Sequence, residues 1–244
     1  RQIEQHCAAW LARHASTDAD SDLKQAVRHH AQRGLQAWLD KPDARVALPA
    51  PAADDPPALS VVIILYNQAG LSLRTLQALA DQRGVTFETL IIDNASSDQT
   101  DQLLARVDGA RIVRNADNLG FVRAANQGGE LARGRHLLLL NNDAIVQPDA
   151  LAATCRRLDA EPTIGVLGGR VVLMSGGLQE AGNVIFQDGS AAGIGRGEDP
   201  FSPAARTRRH TDYCSGVYLA TPLSLWRMLD GFDRDFAPAY YEDA

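Results

Sequence analysis

Five short polar clusters hold most of the residues able to bind charge or move a proton, and four of them directly follow apolar runs. Tyr66-Asn67 follows Leu59–Leu65, and Asp93-Asn94 with Ser96, Ser97 and Asp98 follows residues 87–92. Residues 115–118 follow 111–113, Asn141-Asn142-Asp143 follows 137–140, and Glu242-Asp243 stands near the C-terminus. A carboxylate offers hard oxygens to a cation such as Mg2+ or Mn2+. Held beside a hydroxyl, it can instead take the proton as a general base. Asparagine brings donors and an acceptor without charge. Acid- and amide-rich clusters of this kind suit a polar, oxygen-rich ligand.

The elements that must position them are read from apolar spacing. Leu59–Leu65 is a continuous β-branched run, as in a strand covered on both faces. Residues 70–82 have helical spacing, with Leu71, Leu76 and Leu79 as the apolar face. Strands at 87–92, 111–113 and 135–140 then alternate with helices at 98–107, 119–133 and 149–158. That alternation predicts a mostly parallel sheet between two helical layers, and such sheets bind ligands at the carboxyl ends of their strands. Residues 1–47 read as a helical hairpin, with Ile3, Cys7, Trp10 and Leu11 on one helix. Leu23, Val27, Leu35, Trp38 and Leu39 line the other, with Ser21 as its N-cap. Residues 48–58, rich in Pro and Ala, read as a linker to a domain over 59–244.

The chain has 244 residues, of which 45% are hydrophobic and 22% charged, a composition able to bury a real core. Its 24 Lys and Arg against 30 Asp and Glu leave a formal charge of −6. That balance argues against a general nucleic-acid binder, which needs a basic face. The apolar runs are too short to span a bilayer, and no secretory signal opens the sequence. Cys7, Cys155 and Cys214 are too widely spaced for a zinc pattern, and a reducing cytoplasm is the expected home. Starting at Arg1, the sequence reads as a piece of a longer protein.

Several segments together resemble family 2 glycosyltransferases of the GT-A fold. Ser60-Val-Val-Ile-Ile-Leu-Tyr-Asn67 resembles that family's opening strand, and Leu90-Ile-Ile-Asp-Asn-Ala-Ser-Ser-Asp-Gln-Thr100 its second strand and following loop. Asn118-Leu-Gly-Phe-Val-Arg-Ala-Ala-Asn-Gln-Gly128 is similar to the start of its third helix. Leu137-Leu-Leu-Leu-Asn-Asn-Asp143 stands where the family has Asp-x-Asp, and Gly231-Phe-Asp233 with Tyr241-Glu-Asp243 resembles the approach to its catalytic base. The implied fold is a GT-A α/β/α sandwich preceded by the helical hairpin.

The resemblance implies an inverting, metal-dependent transfer of a sugar from a nucleotide donor to a glycan or lipid-linked glycan, in building a bacterial-type surface polysaccharide. Asp143 would ligate Mn2+ or Mg2+, with Asn141 replacing the family's first acid and Asn142 beside it. Asp93 would accept from the imide N–H of uracil or thymine, which points to a UDP- or dTDP-sugar, or would only start an Asx-type turn with Ser96. Tyr66 would stack on the base, and Asp98 would contact the nucleotide or cap the next helix. Arg123 would reach the diphosphate or stand as an exposed helix cation. Asp243 would be the general base, Glu242 would orient its loop, and Tyr240 and Tyr241 would flank the acceptor. Residues 212–217 resemble the acceptor-side strand, and Asn-Leu-Gly-Phe with Asn-Asn-Asp is similar to rhamnosyltransferase-like members. The Gly- and Pro-rich stretch 189–203, before Arg206, Arg208, Arg209 and His210, reads as a mobile loop.

The family continues past Glu-Asp with a further helix and strand, so peripheral attachment at the inner face of a membrane would fall to parts outside this sequence. A non-catalytic nucleotide- or glycan-binding domain is the alternative, favoured by the lost first acid. A sugar nucleotidyltransferase would want a Gly-rich, basic loop after the first strand, and Tyr66-Asn-Gln-Ala-Gly70 is not one.

Overall fold

A computed structural model describes residues 18–52, 54–239 and 242–243. The first helix expected in the hairpin, Tyr240 and Tyr241 lie outside the described residues.

In chain order the main elements begin with helix α1 (Asp18–Leu39), the short strand β1 (Val46–Ala47), β2 (Leu59–Leu65), α2 (Ala69–Ala80) and β3 (Phe87–Asp93). They continue through α3 (Thr100–Leu104), β4 (Val107–Asp108), β5 (Ala110–Arg114), α4 (Phe121–Leu131), β6 (His136–Asn141) and α5 (Ala150–Ala160). Short strands follow: β7 (Leu167–Gly168), β8 (Val171–Val172), β9 (Leu178–Glu180), β10 (Asn183–Ile185) and β11 (Ala191–Gly193). One turn of helix, α6 (Pro203–Arg206), then leads to β12 (Tyr218–Pro222), α7 (Leu223–Met228) and a 3-10 turn at Arg234–Phe236.

The central sheet has the order β5-β3-β2-β6-β12-β7. β5, β3, β2 and β6 are parallel, while β12 runs antiparallel to β6 and β7. Strand β2 lies in the middle, and its seven residues are buried except Ile64, which is why its sequence does not alternate. Val61, Ile63 and Leu65 face one side with Leu35, Leu76, Leu79 and Leu151. Val62 faces the other with Val122, Ala125, Trp226 and Phe232. The result is the three-layer, GT-A-like sandwich expected. Fully burying each of these aliphatic side chains contributes roughly 1.5–3 kcal/mol.

Helix α1 is part of this structure. Its second half buries Ala31, Leu35 and Leu39, while residues 21–26 are exposed, Leu23 included. It crosses α2 so closely that a Cβ on Gly70 would lie 2.6 Å from the carbonyl carbon of Ala31. The stretch after α1 is also tied down. β1 pairs with β4, Leu48 is buried, and the Pro57 carbonyl accepts from the Arg135 N–H.

The stretch 189–203 expected to be a loop contributes β11 to a small antiparallel ribbon with β10, and a second ribbon, β8–β9, precedes it. Gly189, with positive φ, makes the turn between β10 and β11 that looks like a loop signal in sequence. The strand expected at 212–217 lies a few residues later, at Tyr218–Pro222; of that segment only Tyr213 bridges, to Asn183. Among the described residues no helix is long and apolar enough to cross a membrane.

Candidate functional site

Register carries the polar clusters to one edge. Leu65 pairs with Asp93 and Ile64 with Asn141, so β2, β3 and β6 end together. Their carboxyl ends open on a cavity of about 350 Å³. Tyr66, Gln68, Asn94, Asn118, Asn141, Asn142 and Asp143 supply its polar lining, and Ile64, Phe121, Leu140, Pro238 and Ala239 its apolar wall. Among these lining residues Asp143 is the sole carboxylate, and none is Lys or Arg.

Side chains stitch the loops at this edge. The Asn67 N–H donates to Ser96 Oγ at 2.8 Å, and Ser97 N–H donates to Asn67 Oδ1 at 2.8 Å. Asn67 and Gln68 hold φ of 59° and 60°, a left-handed conformation that costs a non-glycine residue energy and often marks a ligand site. The Gln68 Oε1 atom is buried without a hydrogen-bond partner. Asn94 is 2% exposed. It donates to Asn118 Oδ1 at 2.7 Å and accepts from Leu119 N–H at 3.0 Å and Asn115 Nδ2 at 3.1 Å. It therefore sets the shape of the 115–120 loop, the cavity's far wall.

Asp93 is 5% exposed, and its Oδ1 accepts from Ser96 N–H at 3.1 Å. That is the Asx-type turn weighed from sequence, and Asp93 is not in the cavity lining. Asp98 uses both oxygens within the fold: Oδ2 accepts from Ala69 N–H at 2.9 Å, and Oδ1 from Thr100 N–H at 3.0 Å. It caps the beginnings of α2 and α3 together. Asn142, in the lining, donates its amide to Ser72 Oγ at 3.2 Å. Arg123 is exposed on α4 and outside the lining. Arg208 pairs with Glu161 at 3.3 Å, and Arg209 donates to the carbonyls of Thr207 and Ala204. Tyr66, half exposed, stands at the mouth.

Gln68, Phe121 and Pro238 complete a wall that spacing alone does not reveal. The Pro238 carbonyl accepts from Phe121 N–H at 2.8 Å and Val122 N–H at 3.2 Å, so it occupies the donors at the start of α4 that an anion would otherwise attract. Gly120 is required there. Its φ is +78°, and a Cβ would fall 2.8 Å from Pro238 Cβ. Upstream, Asn126 grips the backbone of Phe232 with two bonds of 2.8 Å. These contacts bring the C-terminal segment across the sheet to the cavity.

Asp243 lies at its end. Its Oδ2 accepts from Gly216 N–H at 2.9 Å, and Gly216 packs against the Phe121 ring, a cavity wall. Burial pushes the Asp243 carboxyl up, against the opposing pull of the Gly216 N–H. A carboxylate with raised basicity is a better proton acceptor.

Asp143, exposed at the mouth with Asn141 beside it, is chemically fit for a hard divalent ion. Among the described residues no three His, Cys, Asp or Glu gather to hold a metal. A Mg2+ or Mn2+ ion bound with substrate phosphates needs only one or two carboxylates, so the donors present fit one in that shared form.

The pattern of the family described as Glycosyl transferase family 2 matches residues 60–191, more than half of the chain. The chain belongs to glycosyltransferase family 2. It is 35% identical over 112 residues to the succinoglycan biosynthesis protein ExoO of Rhizobium meliloti, covering 45% of this chain and 32% of that protein. It is 29% identical over 239 residues to the O-antigen biosynthesis protein RfbC of Myxococcus xanthus, covering 89% of this chain and 18% of that one. The chain thus spans a third or less of these relatives. Its fold is similar to that of the mannosyltransferase PcManGT from Pyrobaculum calidifontis, solved with GDP-Man and Mn2+. The TM-score is 0.53 at 21% identity, over 86% of this chain and 55% of that one.

Proposed function

We propose that this family 2 glycosyltransferase moves a sugar from a nucleoside diphosphate donor to a hydroxyl of a glycan or lipid-linked glycan during polysaccharide assembly, inverting the anomeric carbon. The observation that carries this is the cavity at the strand ends, lined by amides, with a single carboxylate and no cation. A diphosphate bound there needs positive charge that the lining does not supply. Asp143, with Asn141 alongside, would hold Mn2+ or Mg2+, whose chemistry is neutralisation of charge on the departing diphosphate. Tyr66 would offer its ring to the base, and Asp93 would accept the imide N–H of uracil or thymine.

In the transfer itself, Asp243 takes the proton of the acceptor hydroxyl as its oxygen attacks the anomeric carbon. The new glycosidic bond forms while the bond to the diphosphate breaks, so one displacement inverts the centre. Glu242, next to Asp243, would orient that loop. Phe121, Pro238 and Ala239 keep water from the reacting face. ExoO and RfbC, named for succinoglycan and O-antigen biosynthesis, support a polysaccharide product. A nucleotide-sugar donor suits the cytoplasm.

Calorimetric titration of UDP, dTDP and GDP, each with Mn2+ and with EDTA, tests this. Binding that requires Mn2+ and weakens at least about tenfold in Asp143→Ala is expected. Weakening in Asp93→Ala confined to the uracil and thymine nucleotides identifies the base reader. No binding of any nucleotide under either condition overturns the reading.

A further inference from the structure

The ribbons outside the cavity bury an acid that the transfer described above does not use. Glu180, at the end of β9, is 8% exposed. Asn183 is 2% exposed and bridges antiparallel to Tyr213, and its carbonyl accepts from Asp212 N–H at 3.0 Å. This pairing runs the chain from Tyr213 back past Glu180 into the turn of Cys214, Ser215 and Gly216. Gly216 is the residue whose N–H holds Asp243 at 2.9 Å.

We propose that Glu180 is a positioning residue for Asp243, joining it through the 214–216 turn as the second member of an acid pair on the acceptor side. The inference rests on the reading of Asp243 as the base. Asn183 and Ser215 approach the Glu180 carboxyl and favour its charged form, as does the charge of Arg196 in the turn after β11. Burial and the charge of Asp243 act the other way and raise it on balance. Cys214, packed against Gly168, is raised by burial and, to a smaller extent, by the charges of both acids. A buried acid that answers to Asp243's charge and holds the turn carrying it links acceptor binding to the base. Proton uptake by Asp243 relieves Glu180, and charging of Glu180 opposes charging of Asp243.

Carboxyl-carbon NMR titration of the whole protein tests the pairing without any need for activity. Glu180, assigned by Glu180→Gln, is expected to titrate above the ordinary glutamate range and to move down in Asp243→Asn. An unchanged Glu180 titration in Asp243→Asn overturns the proposal. Kinetics supply the second readout. Glu180→Gln is expected to lower kcat about tenfold with donor affinity kept, and to displace the acid limb of the kcat profile. Glu180→Asp should recover part of the rate. A drop in rate with an unmoved pH profile shows a merely structural role and also overturns it. Should Glu180→Gln fail to fold, Glu180→Asp carries the same titration and pH profile. Full activity in Asp243→Asn would instead refute the base reading, while the NMR coupling still decides the pair.

Discussion

The same two strands are polar at both ends, and the ends behave in opposite ways. At their amino ends Ser60 of β2 and Glu88 of β3 are buried, and two partly exposed arginines, Arg111 of β5 and Arg133 after α4, close over them. Glu88 Oε1 accepts from Ser60 Oγ at 2.7 Å and Arg133 N–H at 2.8 Å, and Oε2 accepts from the side chains of Arg111 and Arg133 at 3.1 Å. Ser60 Oγ in turn accepts from Gly134 N–H at 2.8 Å. Burial pushes the Glu88 carboxyl up, but the bonds from Ser60, Arg133 and Arg111 outweigh it and hold the group below its usual value. At their carboxyl ends the amides, Tyr66 and Asp143 surround open space, and Gln68 Oε1 is left without a partner. Polarity at a strand end is thus common to both. Whether the charges close on each other or on a cavity separates a clasp from a site.

Substitutions should break the two ends differently. The largest expected effect is at the carboxyl end: Asp243→Asn should lower kcat by roughly 10²–10⁴ while UDP affinity and thermal stability stay near those of the parent. Steady-state kinetics beside calorimetry would show it, and a kcat within a factor of three would leave Asp243 no part in proton transfer. Glu88→Ala should do the reverse. It strands Ser60 and two arginines, and about 2–3 kcal/mol of stability should be lost, with nucleotide affinity unchanged in the folded fraction. Denaturant unfolding measures the first and titration the second. Smaller again is Asn94→Ala, which releases the 115–120 loop. A loss of about 1 kcal/mol should come with weaker nucleotide binding, because this amide stands at the cavity and also holds its wall.

The sheet was legible because its central strands are unbroken apolar runs, and their common ends follow from the parallel register. Asp98 was legible as a cap from the helix it precedes. Gln68 and Phe121 were not, since a cavity wall is made only when the C-terminal segment crosses to Gly120. Glu88 carried no signal because its partners Arg111 and Arg133 stand 23 and 45 residues along the chain. Glu180 carried no signal of its own, and the stretch 189–203 read as a loop supplies β11, whose Gly193 packs against Glu180.

The two ends should also answer to pH with opposite sign. The folded Glu88 carboxyl lies below its unfolded value of about 4.3. The unfolded chain therefore binds more protons in that range, and stability falls as pH drops through the folded value. Glu88→Gln removes that slope. Asp243 is raised instead, so its folded form holds a proton that the unfolded chain has released above about 3.9. Its stabilisation is present below that pH and is lost as pH rises through the folded value. Unfolding free energies of the protein, Glu88→Gln and Asp243→Asn from pH 3 to 7 separate these contributions. Subtracting Glu88→Gln from the parent should leave a difference that grows with pH, and subtracting Asp243→Asn one that shrinks. If both differences grow, Asp243 is not a buried, raised carboxyl, and the contrast between a closed clasp and an open site loses its electrostatic half.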